Sequence, residues 1–538
     1  RGGVGVGWRS GTFRMGTNFW PRRPSLPLAV AAASMGWVAR ASEAKALDTE
    51  VTSTVAAQGY ALRSPFGDPI LMRRRVMNTL GLGVYHLLDS ERPTGAQILV
   101  KLRLRLDADV GIESHETSFR RGDPTSRYVP GLYEAPVDLM YGYVEGRNLA
   151  GGWLGFRLGR QYITDALGWW SFDGGLVRFQ APYVHLEAYG GFEQRGGLPL
   201  SLGRYERNGV WRGDRQQGLD GAPDAFGMFL QAGTAPAFGV ALESAGPHWI
   251  HGRFDYRRVY NTGAVTASYL PGPGGQLQTF RATRTSSERL GYAIDGTAGD
   301  WGAGKGGVVY DLYNQFFSSY YVNLDGFVTQ RVTVGIDYDY FRPTFDGDSI
   351  FNWFTQTPIT TLTGRGAWQV NDQLDLALSG GVRWWATDDD PENHRTLPLG
   401  EGGRAADQGP LADPTADRGG KLTDVLGNAY GRYRWSTGRA TLRGVFEVGE
   451  RGRREGVDLG GERYFRGGKY GATFRGSLFD WRDDLRPDRS ATSVGYVVGG
   501  IWRPGPMADV LLEWEHNMNR LVGQRYRVLA VVNVAVTR

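Results

Sequence analysis

The chain has 538 residues, including 80 Gly, 26 Tyr, 24 Phe and 17 Trp, and it has no Cys. Missing cysteine excludes a disulfide framework, thiolate zinc sites and cysteine nucleophiles. The formal charge is +5, but residues 1–46 hold seven basic residues and one acid, which leaves 54 basic and 55 acidic residues beyond them, so the basic balance is no argument for nucleic-acid binding.

Those first 46 residues read as a targeting segment behind an upstream extension (1–19). WPRRPS (20–25) is a basic region, LPLAVAAASMGWV (26–38) a short apolar stretch, and Ala39-Arg40-Ala41, Ser42-Glu43-Ala44 and Ala44-Lys45-Ala46 are small-residue cleavage patterns. That is the layout of a secretory signal. After residue 50 no run approaches the ~18 apolar residues of a membrane helix. Instead, strand-like segments recur to the C-terminus, separated by turns rich in Gly, Pro, Asn and Asp. They are expected at 50–62, 70–88, 95–113, 134–146, 152–164, 172–179, 182–193, 236–244, 249–260, 286–297 and 305–313. They continue at 317–328, 331–341, 357–370, 373–387, 421–435, 438–449, 455–466, 469–481, 489–502, 507–518 and 522–536.

Each segment has an apolar and a polar face, because strand side chains alternate with period two. In KLRLRLDADV (101–110), Leu102, Leu104 and Leu106 oppose Lys101, Arg103, Arg105, Asp107 and Asp109. In 331–341, Val332, Val334, Ile336, Tyr338 and Tyr340 oppose Arg331, Thr333, Asp337 and Asp339. In 373–385, Leu374, Leu376 and Leu378 oppose Asp375, Ser379 and Arg383. Connector lengths alternate as well. The odd connections include 63–69, 114–133, 165–171, 194–235, 261–285, 342–356 and 388–420, whereas the even ones are short. Outer-membrane barrels have short periplasmic turns and longer outer loops. A soluble sandwich has no reason to segregate loop length. The fold expected is therefore all-β: one large antiparallel transmembrane β-barrel over residues 47–538, with about 22 strands and a range of 18–22.

Charged residues on the polar faces line such a lumen. A hairpin reversing near Arg520 would set Glu513 near Arg527 and Glu515 near Arg525. A hairpin around Ser436-Thr437-Gly438 would set Arg432 and Arg434 beside Arg443 and Thr441. Such ladders fix strand register or order a polar or anionic solute. Trp169, Trp170, Trp384, Trp385, Tyr338, Tyr340 and Phe341 fall near strand ends, as an interfacial girdle or as sugar-stacking groups at the mouth.

In LGRQYITDALGWWSFDGG (158–175), a strand bearing Gly159-Arg160-Gln161 leads through an aromatic turn to Phe172-Asp173-Gly174. This resembles the GRQ…FDG strand pair of alginate-export-type outer-membrane porins over about 20 residues. The resemblance implies basic lumen residues that contact an acidic polysaccharide, which makes Arg157, Arg160, Gln161 and Asp173 candidates. Alternation puts Arg157 and Gln161 on the lumen side and Arg160 with Leu158, so Arg160 needs a bulge near Gly159 or a rim position.

Asp388-Asp389-Asp390 and the Asp346/Asp348 pair could hold Ca²⁺, but EF-hand spacing is absent, and no metal or cofactor is expected. The seven histidines (86, 115, 185, 248, 251, 394 and 516) lie in no HExxH, and no GxSxG or phosphate loop occurs. No enzyme is expected, although an outer-membrane hydrolase would need a Ser-His pair assembled across strands. The C-terminus reads VNVAVTR where many bacterial barrels end on an aromatic assembly signal.

The sequence reads as a porin-like channel in the outer membrane of a Gram-negative bacterium, passing polar solutes or an exported polysaccharide, with loops 194–235 or 388–420 folding inward as gates. The alternative is a non-conducting barrel that scaffolds an envelope secretion or motility complex. Expected partners are outer-membrane lipids, the barrel-assembly machinery and the solute. The pore-lining candidates are Lys101, Arg103, Arg105, Asp107, Arg157, Gln161, Arg331, Asp337, Asp375, Arg383, Arg432, Arg434, Arg443, Glu513, Glu515, Arg525 and Arg527.

Overall fold

The computed structural model describes residues 48–88, 95–109, 137–194, 228–230, 235–247, 249–262, 265–271, 277–280, 283–344, 358–386, 421–484, 490–521 and 523–537. The expected signal segment, the Asp346/Asp348 and Asp388–Asp390 clusters, most of loop 194–235 and all of loop 388–420 lie outside these residues.

Among the described residues, twenty-five strands follow in chain order. They are β1 (Asp48–Arg63), β2 (Pro69–Tyr85), β3 (Gln97–Asp109), β4 (Val137–Asn148), β5 (Leu154–Asp165), β6 (Gly168–Gln180), β7 (Val184–Glu193), β8 (Met228–Leu230), β9 (Pro236–Ser244), β10 (Ile250–Asn261), β11 (Val265–Pro271), β12 (Leu277–Phe280) and β13 (Arg284–Thr297). The rest are β14 (Gly302–Asp311), β15 (Phe316–Thr329), β16 (Val332–Phe341), β17 (Ile359–Gln369), β18 (Leu374–Ala386), β19 (Lys421–Trp435), β20 (Gly438–Gly449), β21 (Gly452–Phe465), β22 (Tyr470–Asp483), β23 (Ala491–Gly505), β24 (Ala508–Asn519) and β25 (Gly523–Thr537).

All but β8, β11 and β12 form one 22-stranded sheet, antiparallel throughout, and β1 pairs with β25 from Glu50↔Thr537 to Arg63↔Gln524. The sheet is closed, so each of its strands has a partner on both sides. Closure is what a lipid environment demands, since lipid offers the backbone no hydrogen-bond partners. The other three strands make a small sheet of their own, within connections read from sequence as plain loops.

The apolar rows point outward. Leu82 pairs with Leu102, Leu376 with Trp368, and Leu459 with Leu442. Leu378, Leu442, Leu459, Leu478 and Leu512 are all exposed. A row of aliphatic groups that stays exposed around a closed sheet is a lipid-facing belt. At the short-turn end it is edged by exposed aromatics on successive hairpins: Trp153, Tyr183, Trp249, Trp301, Trp368, Tyr433, Phe465 and Trp502. This is an interfacial girdle. The fold is a single large transmembrane β-barrel.

Several sequence expectations shift. The β24–β25 turn is centred one residue further on than expected, which shifts the pairing by two, so Glu515 faces Arg527 and Asn517 faces Arg525. The Ser436-Thr437 turn is a two-residue one, so Arg432 faces Thr441 and Arg434 faces Arg439. Arg331 sits in the β15–β16 turn rather than on a strand face, where its carbonyl accepts the Gln369 N–H. The segment 165–171 is not a connector: β5 and β6 continue to a two-residue turn at Ala166-Leu167.

Candidate functional site

The β5–β6 hairpin leaves the barrel wall. β5 pairs with β4 only from Phe156 to Arg160, and the pairing of β6 with β7 ends at Phe172↔Glu193. Between those points, residues 161–171 pair only with each other. Their tip folds inward onto β10. Ala166 N donates to Asp255 Oδ2 (3.4 Å), and Arg257 Nη2 donates to Leu167 O (3.2 Å). Arg257 also lies 3.6 Å from Asp165. β10 stands three strands from β6, about 14 Å along the wall at the usual strand spacing. A turn in the plane of the wall could not make these contacts.

Glycine permits the bend. Gly159 has φ 127°, a region that side-chain-bearing residues rarely adopt. A Cβ on Gly174, its register partner, would collide with the Gly190 carbonyl. Gln161, fully buried, donates its amide to Arg157 O (3.3 Å) and Gly174 O (3.0 Å). Arg160 makes a two-point ion pair with Asp173 (both 2.6 Å) and donates to Leu139 O (3.2 Å). The Gly-Arg-Gln and Phe-Asp-Gly residues are therefore joined to each other where the hairpin bends. Arg160 stays in register with Asp173 and Gly142, on the strand side of Leu158.

The hairpin is anchored twice. The first anchor is apolar: Ile163, Trp170 and Phe172 pack on Leu176, Tyr189, Ala235, Ala237 and Val259, all buried. Trp170 stacks on Phe172 at 4.5 Å, and its indole N–H donates to Glu193 (2.8 Å). Burial of each such side chain contributes about 1.5–3 kcal/mol. Trp170 is thus no girdle residue, and Trp385 also turns inward, where it donates to Asp424 (2.6 Å). The second anchor is ionic. Arg253 joins Asp255 (2.9 Å), Glu243 (2.9 Å) and Glu187 (3.3 Å). His251 bridges Glu243 (3.0 Å) and Asp295 (3.1 Å). Asp255 and Glu187 are enclosed, and charges so placed persist only when paired.

The opposite wall is a set of ladders facing the lumen. Asp375 holds Arg432 (2.8 Å) and Arg434 (3.1 Å). Asp337 and Asp325 share Arg365 (2.7 and 2.6 Å), and Arg383 reaches Glu447 (2.6 Å). Arg443 donates to Asn428 (2.8 Å). Glu515 takes both Arg525 and Arg527, and Glu513 pairs with Arg475 (2.8 Å) rather than with Arg527. Near β4, Arg157 reaches Glu145 (3.3 Å), Arg103 donates to Thr79 (3.2 Å), and Lys101 lies over the Tyr85 ring (5.4 Å). Arg105 and Asp107 lie in register with Thr79 and Met77 of β2.

Some of these pairs are lopsided. In three of them the arginine is exposed and the acid buried: 63% against 10% for Arg475–Glu513, 53% against 7% for Arg525–Glu515, and 49% against 9% for Arg147–Glu145, whereas Arg383–Glu447 and Arg365–Asp325 are close to even. Water in the lumen meets guanidinium groups, with carboxylates beneath them. Sequence reading missed Arg253, Asp255, Arg257 and Glu187. The alternation in Arg253-Phe254-Asp255-Tyr256-Arg257 was a usable signal.

Among the described residues, no cluster of His, Asp and Glu is arranged to hold a metal ion. His86 and His251 pair with carboxylates, and His516 with Tyr496.

The chain matches no protein-family model and no curated protein. Solved structures that it resembles include Pseudomonas aeruginosa OpdL, at 7% identity and a TM-score of 0.40, covering 91% of this chain and 99% of that one. Pseudomonas aeruginosa OccK8 (OprE) matches at 9% identity and a TM-score of 0.39, over 91% and 98%. The P pilus usher (PapC) translocation pore matches at 9% identity and a TM-score of 0.36, over 91% and 99%. Likenesses at this level bear on neither solute nor mechanism.

Proposed function

We propose that the barrel is an outer-membrane channel of a Gram-negative bacterium, passing polar solutes with a preference for anions. The observation that carries this reading is the lopsided burial of three lumen ion pairs. A buried carboxylate fixes each guanidinium and leaves its outer N–H groups in water. A passing carboxylate or phosphate can exchange hydration for those donors without displacing the structural acid. The candidates at this surface are Arg432, Arg434, Arg475 and Arg525, facing the side of the lumen that the hairpin leaves open, with Arg443 beside them held by the Asn428 amide oxygen instead of a carboxylate. The inward β5–β6 hairpin narrows the passage and acts as a size filter.

Of the residues that suggested an acidic polysaccharide, Arg160 and Asp173 pair with each other, Gln161 is spent on the Arg157 and Gly174 carbonyls, and Arg157 is paired with Glu145. The solute class is therefore set by charge and polarity, not by that motif. No chemical step is involved. Reversal potentials of the refolded full chain in a planar bilayer under a KCl gradient test the proposal. The expected result is stable conductance steps with anion preference, reduced at least twofold in Arg475→Gln/Arg525→Gln. Membrane-inserted protein without conductance would overturn it and favour a structural barrel.

A further inference from the structure

The β5–β6 hairpin has a second face. Ile163, Trp170 and Phe172 press against β7, β9 and β10, whereas Tyr162, Thr164 and Trp169, on the alternate positions, are exposed. This free face turns to the lumen. The Tyr162 ring lies 5.9 Å from that of Tyr141, and Tyr141 stands on the polar side of the wall, in register with Arg103. Tyr143, in register with Lys101, is 5.8 Å from Tyr141, and Trp169 is 6.5 Å from Tyr162. The four rings form one row, Tyr143, Tyr141, Tyr162 and Trp169, which runs from β4 onto the free face of the hairpin.

The row reaches mid-depth in the barrel. The hairpin tip meets β10 at Asp255 and Arg257, in the middle of a strand that runs from Ile250 to Asn261. Girdle rings belong at strand ends, where headgroups meet them, and a hairpin folded off the wall has no such layer to enter. Trp169 is nonetheless 67% exposed and Tyr162 43%. Large rings left bare inside a polar lumen mark a binding surface.

The polar groups beside the row select its occupant. At the wall end Arg157 lies over the Tyr143 ring (4.8 Å) and is paired with Glu145, so the free rings are Tyr141, Tyr162 and Trp169. Asp173 shares their side of the hairpin, in register with Arg160. Its side chain is 42% exposed while that of Arg160 is 5%, so the charge that water meets beside these rings is the carboxylate. Arg160 holds both of its oxygens, but each keeps a lone pair for a hydroxyl donor. Apolar ring faces flanked by hydroxyl acceptors complement a pyranose, which has an apolar C–H face and a hydroxyl edge. An exposed carboxylate disfavours an anionic sugar. Successive rings 5.9 and 6.5 Å apart, near the length of one hexose unit, suit a linear chain better than a single ring.

We propose that this row binds a linear neutral oligosaccharide, its sugar rings stacked on Tyr141, Tyr162 and Trp169. The site lies apart from the arginine ladders and its occupancy is read without current, so a sealed barrel would sink the channel reading and leave this one standing. The test is titration calorimetry and saturation-transfer NMR of the detergent-refolded full chain with maltohexaose and with cellotetraose. At least one is expected to bind saturably, with transfer to its ring C–H protons. Affinity is expected to fall at least fivefold in Tyr162→Ala/Trp169→Ala and to stay within twofold of wild type in Trp169→Phe, with heat-modifiable mobility unchanged. Binding of neither sugar, or equal affinity in wild type and double variant, overturns the proposal. So does tighter binding of benzoate than of either sugar, which would assign the rings to an aromatic anion. If the double variant does not refold, Trp169→Ala is used alone. It is expected to lose at least threefold in affinity, and no loss overturns the proposal.

Discussion

Among the described residues, the inner face of the barrel is covered along β5 to β13 and bare along β18 to β25. The same alternating strands build both. On the covered side, Trp170, Phe172, Tyr189 and Val259 form a small dry core, and Asp165 and Asp255 are fully enclosed by the hairpin and its arginines. On the bare side, Arg475 and Arg525 remain more than half exposed. The difference lies in backbone conformation at a glycine row, not in strand composition. Where Gly159 takes φ 127° beside Gly174, two strands bend and the barrel folds part of its own wall inward. The row Gly364–Gly380–Gly427 keeps ordinary strand dihedrals and stays paired in the wall.

Breaking the covered side carries the largest expected effects. Asp255→Ala leaves Arg253 short of a partner and frees the Ala166 N–H. Losing one member of an enclosed pair costs about 3–5 kcal/mol, so the guanidinium-chloride midpoint should fall while single-channel conductance rises as the hairpin loosens. An unchanged conductance would show that the hairpin does not narrow the passage. Phe172→Ala opens a cavity in the dry core and is expected to cost about 3–5 kcal/mol. Leu442→Ala, on the lipid-facing row, should cost a small part of that, because acyl chains fill the gap. Equal midpoint shifts for the two would contradict an inner core.

The belt comes next. Leu378→Arg places a charge against lipid, which costs about 2–4 kcal/mol at the bilayer midplane. The same substitution at Ser379, on the opposite strand face, should be tolerated in a vesicle-folding assay. The smallest expected effect is on the bare side. Arg475→Gln removes a mostly exposed partner and should change stability by about 1 kcal/mol or less, yet it should lower anion preference in reversal-potential measurements. A large loss of stability there would mean that the ladder is structural rather than a contact surface for solute.

The strands were legible because alternation is local: Leu102, Leu104 and Leu106 declare their face without knowledge of any neighbour. Segments 236–244, 421–435 and 438–449 coincide with β9, β19 and β20. Register was less legible, because it depends on turn length. Reading Ser436-Thr437-Gly438 as the turn instead of Ser436-Thr437 moves every facing pair. The inward hairpin was not legible at all. Gly159 and Gly174 are two glycines among 80, and Trp170 has the same local pattern as a girdle residue. Its position depends on Val259 and Tyr189, which no local pattern connects to it. The small sheet of β8, β11 and β12 was missed for a related reason: its strands are short and pair across a wide stretch of chain.

The absence of native cysteine makes the central claim directly testable. In the folded barrel, a Cβ on Gly291 would lie 3.0 Å from the Ala166 Cβ, although β13 stands four strands from β6, about 19 Å along the wall. Ala166→Cys/Gly291→Cys should therefore form a disulfide in the membrane-inserted protein, seen as a mobility shift that reductant reverses. Two free thiols in a heat-modifiable, fully inserted barrel would mean that the β5–β6 hairpin stays in the wall, and the division of the lumen into covered and bare sides would fail with it.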